Sequence, residues 1–212
     1  MSLQVTALPV LPTTALTGGA LVLARESEHP AILNHSIRTF VYAAALAAGP
    51  NLLDAPNYEF LFVGAVLHDI GTADRFDGSH RFEVEGADAA ASYLRTQGLD
   101  DRDIDRVWEA IALHTSPGIA ERRGPLTRLL RLGVRTDFGS ARIDPELRHA
   151  AELQYPRLGI ETVLADAVVA QVLHRPDSER LEKAPPSSWP GALFSAHLTR
   201  SAHATVKKKP HS

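Results

Sequence analysis

Cysteine is missing from all 212 residues. Its absence excludes disulfides, thiolate metal ligands and a cysteine nucleophile. Any bound metal must therefore be held by nitrogen and oxygen, and ten histidines give ample choice. A strong excess of one charge is also lacking. The formal net charge is -3 and the pI is near 6.4, which gives no sign of general nucleic-acid affinity. Only Lys207-Lys208-Lys209 is locally basic, and a run this short at a terminus reads as solvated chain. No apolar run approaches the ~20 residues needed to span a bilayer. No charged n-region precedes an apolar h-region, as a secretory signal requires. A cytoplasmic protein without a membrane or nucleic-acid partner is expected. Alternation of period two bounded by turn residues is not found either, so strands should be few or absent.

The sequence instead carries helical patterns. Helices are predicted over Thr13–Arg25, Asn34–Ala47, Tyr58–Asp69, Phe82–Gln97, Asp101–His114, Ile119–Asp137, Asp144–Gln154 and Ile160–His174. Asn34 is a good N-cap for an alanine-rich body, and Gly49-Pro50 is a natural stop for it. Gly98 closes another helix, and Ser116-Pro117-Gly118 breaks the chain after His114. Pro185-Pro186-Ser187-Ser188-Trp189-Pro190-Gly191 reads as a linker into a short C-terminal element. The expected fold class is all-α, a single helical bundle. Residues 1–12 form an arm, 13–184 the body, and 185–212 an extension with the basic tail. Alanine-rich helix faces would pack readily into a homo-oligomer.

The most informative stretch is Phe60-Leu61-Phe62-Val63-Gly64-Ala65-Val66-Leu67-His68-Asp69-Ile70-Gly71. An almost uniformly apolar run marks a buried helix, and two ionisable groups then appear at its C-terminal end, just before Gly71. Burying an imidazole and a carboxylate side by side is costly unless something compensates, and a divalent cation compensates both. Upstream His35 and downstream Asp137 complete a candidate ligand set, with Asp144 as a competitor for the last place. Such imidazole and carboxylate ligands suit zinc, iron, manganese or cobalt. His114 shares a helix face with Ile111 and Trp108, which marks it as buried at the end of a core-facing stripe. Arg38 lies three residues after His35, close to the expected metal.

The His…His-Asp…Asp pattern resembles the HD-domain superfamily of metal-dependent hydrolases. His35-Ser36-Ile37-Arg38-Thr39-Phe40, Leu67-His68-Asp69-Ile70-Gly71-Thr72, Arg81-Phe82-Glu83-Val84-Glu85-Gly86 and Trp108-Glu109-Ala110-Ile111-Ala112-Leu113-His114-Thr115 are similar to its cyanamide hydratase-like branch, as is Tyr155-Pro156-Arg157. That resemblance implies an HD-domain helical bundle. It implies a zinc ion held by His35, His68, Asp69 and Asp137, with iron or manganese as alternatives. It also implies addition of water across the nitrile of a small molecule such as cyanamide, giving urea, so that the chain is a hydratase, formally a lyase. His114, Asp69 and Arg38 are then the candidate catalytic residues, with Thr72, His80, Glu83 and Thr115 around the substrate.

Two other enzyme readings share the metal motif. A phosphohydrolase acting on a nucleotide or small phosphate ester would draw on the arginines near the site, Arg38, Arg75, Arg81 and Arg135. A di-iron HD oxygenase would need further histidines, for which His80 and His114 are the candidates. A catalytically silent binding module is the remaining reading, and the intact ligand pattern counts against it.

Overall fold

The computed structural model describes residues 7–48 and 54–207. Its α-helices are α1 (Ala15–Ser27), α2 (Pro30–Ala48), α3 (Ala55–Leu67), α4 (Phe82–Thr96), α5 (Asp101–Leu113), α6 (Pro125–Asp137), α7 (Pro145–Gln154), α8 (Ile160–Leu173), α9 (Arg180–Lys183) and α10 (Trp189–Lys207). Short 3-10 turns fill Ile70–Thr72, Asp74–Phe76 and Ala120–Arg122, and no strand occurs among the described residues. The all-α expectation holds. Gly49-Pro50, residues 1–6 of the expected arm and Lys208-Lys209 of the basic tail lie outside the described residues.

Helices α2 and α3 form the centre of the bundle. Side chains are buried on nearly every face from Ile37 to Ala44 and from Phe60 to Leu67, as expected of helices that are apolar all round. The outer helices bury one stripe each: Ile104, Val107, Ala110 and Ile111 on α5, and Leu126, Leu129, Leu130 and Gly133 on α6. A second, smaller cluster joins Ala31, Ile32, Phe82, Ile160, Leu164 and Val168, with Phe138 and Trp189 packed against it. No described helix is long and apolar enough to cross a membrane.

Three predicted boundaries move, each for a local reason. Helix α2 begins at Pro30 rather than after Asn34. Proline suits a first helical turn, and the ring of His29 accepts the free N–H of Ala31 at 3.1 Å. Asn34 instead donates across the bundle to the Pro156 carbonyl at 2.9 Å. Helix α6 begins at Pro125 rather than at Ile119, which leads into a 3-10 turn instead. The proline-rich stretch before α10 is shorter than a linker: Trp189, Pro190 and Gly191 already belong to a long helix.

Two glycines set the spacing that builds the site. A Cβ on Gly133 would run into the Thr39 carbonyl oxygen and stand 3.0 Å from the Cβ of Ala43. Its absence lets α6 lie directly on α2, which sets Asp137, one turn further along α6, opposite His35 and Arg38. Gly71 does not end α3, which stops at Leu67. It sits in the following 3-10 turn, where a Cβ would fall on the Phe82 carbonyl oxygen and 2.6 Å from the Gly86 nitrogen. Backbone on both sides leaves nothing flexible to yield. Gly71→Ala should therefore cost about 2–3 kcal/mol, read as a melting temperature lower by about 4–12 °C for a chain of this size. An unchanged melting temperature would contradict this close approach.

Candidate metal centre

Helix α3 ends at Leu67 because His68 and Asp69 leave the helical ladder there, with Asp69 already outside helical dihedrals. The pair is pinned from two sides. Nδ1 of His68 donates to the Ala65 carbonyl at 2.7 Å, and Oγ1 of Thr72 donates to the Asp69 carbonyl at 2.7 Å. His114 follows the last residue of α5 in the same manner, with Nδ1 donating to the Ile111 carbonyl at 2.7 Å. His35, in the second turn of α2, donates from Nδ1 to Asp137 Oδ2 at 2.7 Å. That assignment follows because Asp137, clamped by arginine, can only accept.

All three imidazoles thus carry their proton on Nδ1 and turn Nε2 inward. Nε2 of His35 and Nε2 of His68 are 3.2 Å apart. Asp69 Oδ2 lies 3.2 Å from the His68 nitrogen and 3.6 Å from that of His35. Asp69 Oδ1 lies 3.5 Å from Nε2 of His114. Asp69 is 1% exposed, and neither of its oxygens has a hydrogen-bond partner. Lone pairs facing a buried carboxylate with no donor between them are unfavourable by themselves. A cation at their centre removes the conflict, and His35, His68 and Asp69 present ligand atoms within 4.8 Å of one another. These residues fit a divalent metal.

Two of the three shifts in the cluster favour metal binding and one opposes it. Burial alone would push the Asp69 carboxyl up, but His68 and His114 more than offset it and hold it well below the usual range. Burial pushes His35 down, toward the neutral form a ligand needs. Burial also disfavours the charged form of His68, yet Asp69 outweighs it and raises the pKa. A proton therefore competes with a metal for that nitrogen.

Asp137 stands apart from the converging atoms, contrary to the four-ligand expectation. Its oxygens face the far side of the His35 ring and are gripped by Arg38, with Nε to Oδ1 and Nη2 to Oδ2 both 2.7 Å. Arg157 adds a contact of 3.2 Å to Oδ1. Burial opposes ionisation of Asp137, but Arg38 and His35 overcome it and hold the carboxyl far below its ordinary range. A carboxylate behind an imidazole fixes its tautomer and ring direction. Arg38 likewise does not reach the cavity, contrary to its expected catalytic place. It is fully buried, and its third nitrogen donates to the Tyr155 carbonyl at 2.7 Å. The Tyr155-Pro156-Arg157 segment is thus part of the clamp on Asp137.

A cavity of about 810 Å³ opens over this cluster, reached by His35, His68, Asp69 and His114. Of the four expected pocket residues, only Thr115 lines it. Thr72 is turned to the Asp69 backbone. His80 is exposed, and its backbone N–H donates to Glu85 Oε1 at 2.6 Å. Glu83 is fully buried behind the wall, where Oε1 accepts from Thr115 and Oε2 lies 3.7 Å from Nε of Arg81. It braces two residues that do line the cavity.

Several lining residues carried no sequence signal, among them Arg131, Phe138, Leu164 and Trp189. Glu28 carries no sequence signal either. It is 8% exposed with both oxygens unpartnered, and burial, followed by the charge of Asp69, raises its pKa well above the usual carboxylate value.

The HD domain family model matches residues 32–171, well over half of the chain. The chain belongs to the HD domain family. That stretch of the HD domain runs from α2 through α8 and contains His35, His68, Asp69, His114 and Asp137. Family members are generally metal-dependent hydrolases, which agrees with the donor set found here. No curated protein matches the chain.

Proposed function

We propose that this HD-domain protein is a metal-dependent hydratase that adds water across the nitrile of a small molecule, giving an amide or, from cyanamide, urea. The observation that carries the reading is the buried Asp69 carboxylate without a hydrogen-bond donor, faced by three imidazole Nε2 atoms. His35, His68 and Asp69 would hold the ion, with zinc as the assignment that the cyanamide hydratase-like segments favour and Asp137 keeping His35 in register. When bound, such an ion supplies Lewis acidity and lowers the pKa of water from 15.7 to about 7.

The remaining chemistry falls to side chains of the chain. Nε2 of His114 borders the cavity beside Asp69, with Nδ1 engaged by the Ile111 carbonyl. It can take a proton from the attacking water as the carbon–oxygen bond forms, then give it to the nitrile nitrogen as a carbon–nitrogen π bond breaks. The product tautomerises to the amide, and neither redox cofactor nor covalent intermediate is required. The Thr115 hydroxyl donates to Glu83 and so is placed to accept a hydrogen bond at the rim.

A phosphate-ester substrate is the second reading, favoured by Arg81, Arg131 and Arg135 along the cavity. Two of these guanidinium groups already face Glu121: Nε of Arg131 at 2.5 Å and Nη1 of Arg135 at 3.9 Å. Hydrogen bonding from Arg131 lowers the Glu121 pKa to about 2. That pairing weakens the case for an anion site. The two-iron reading loses support from one of its histidines, since His80 is exposed and does not line the cavity.

Elemental analysis of protein purified without added metal, followed by assays of urea release from cyanamide and phosphate release from nucleotides, tests these readings together. About one divalent ion per chain with metal-dependent urea release is the expected outcome. His114→Ala should keep its metal and lose about 10²–10⁴ in rate. Phosphate release without nitrile turnover would replace hydration by phosphohydrolysis.

A further inference from the structure

The cavity of about 810 Å³ lies within the range that holds drug-sized organic ligands. Cyanamide would leave most of it to water. Beyond the imidazoles and Asp69, Ile119, Val134, Phe138, Leu164 and Trp189 give the lining an apolar part, beside three arginines and several serines. Two rings stand out. Phe138 lies against His35, with ring centroids 4.8 Å apart. Trp189 packs edge-on to Phe82 at 6.0 Å, and Phe82 in turn meets His114 at 5.7 Å. Both rings rest on the smaller apolar cluster containing Phe82 and Leu164. One flank of the cluster thus carries Phe138 and the other, through Phe82, carries Trp189. Trp189 lies beyond residues 32–171, so this one ring of the wall is added by the chain outside the HD domain match.

We propose that the cavity takes an organic substrate with a flat apolar body, an aryl or arylalkyl group, and that Trp189 selects it. The ring lies along Trp189 and Phe138 while the reacting group points to Asp69 and His114. Only the nature of that reacting group, a nitrile, rests on the hydration reading. Aromatic pairs contribute about 0.5–1.5 kcal/mol beyond the area they bury, and the buried ring adds a hydrophobic term. A molecule without such a body gains neither, so selectivity follows from the wall rather than from the metal ligands.

The test is a ligand-observed NMR titration of the full-length protein as purified, with phenylacetonitrile, acetonitrile and phenyl phosphate as probes. Phenylacetonitrile should bind at least about 10-fold more tightly than acetonitrile. Trp189→Leu should reduce that ratio to about threefold or less, while Trp189→Phe, which keeps a ring, retains it. Phe138→Leu removes the other ring and reads the same ratio should Trp189→Leu fail to fold. Equal affinity for the two nitriles, or a ratio unmoved by Trp189→Leu and Phe138→Leu, overturns the proposal. Tight binding of both aryl probes without nitrile turnover would keep the aryl pocket and remove the hydration reading. Cyanamide turnover without an aryl preference would do the reverse.

Discussion

Asp69→Ala is expected to leave the protein without bound metal and without activity. His68 and His35 would keep their Nε2 atoms 3.2 Å apart, but two neutral imidazoles supply no charge to balance a divalent ion. Asp69 is also the carboxylate that reaches all three rings, through Oδ2 to His35 and His68 and through Oδ1 to His114. Losing the ion removes several kcal/mol of transition-state stabilisation, so the rate should fall by about 10³-fold or more. The fold should survive. The deleted oxygens have no hydrogen-bond partner, so no hydrogen bond of the fold is lost with them. Thermal melts with and without added zinc separate the two effects. Zinc should raise the melting temperature of the unsubstituted protein by linkage and leave that of Asp69→Ala where it was. Metal retained by Asp69→Ala would remove Asp69 from the ligand set.

Much of this was legible in the sequence because it depended on local pattern. The apolar run from Phe60 to Leu67 could only be a buried helix, and His68-Asp69 at its end had to be buried with it. His114 was legible for the same reason, since Ile111 and Trp108 fixed which face it shared. What could not be read were relations made by packing. The three-residue step from His35 to Arg38 was visible, yet nothing local says that Arg38 turns to a residue 99 positions away. That outcome depends on Gly133 bringing α6 onto α2. Asp137 was consequently expected beside a metal, whereas in the structure it stands behind the His35 ring. Trp189 was hidden by its neighbours. Its flanking prolines and serines suggested a linker, and only its contact with Phe82 brings it to the cavity wall. His29 is the same lesson at smaller scale, because histidine is an unusual helix cap and Asn34 offered a more conventional one.

The clamp on Asp137 leads to the largest expected change in stability. Arg38 and Asp137 are both essentially excluded from solvent, at 0% and 1% exposure, and share two hydrogen bonds of 2.7 Å. Arg38→Met would leave the buried Asp137 carboxylate only His35 and the longer Arg157 contact, a change that costs about 3–5 kcal/mol. For a chain of this size that is a fall in melting temperature of about 6–20 °C. Lysine should rescue little, since it cannot present two parallel donors to one carboxylate. The pH dependence has a definite sign. The folded pKa of Asp137 is depressed, so its stabilising contribution is present above the unfolded value of about 3.9 and is lost as pH falls through the folded value. The gap between the unsubstituted protein and Arg38→Met should therefore be widest at neutral pH and narrow below about pH 4. Arg38→Met combined with Asp137→Leu removes both charges and should recover much of the lost stability. It should not recover metal affinity, because His35 has lost the acceptor that fixes its tautomer, a deficit of about 10–100-fold. A double variant no more stable than Arg38→Met alone would show that the ion pair is not what binds α6 to α2. Full metal affinity in that variant would show that Asp137 does not orient His35.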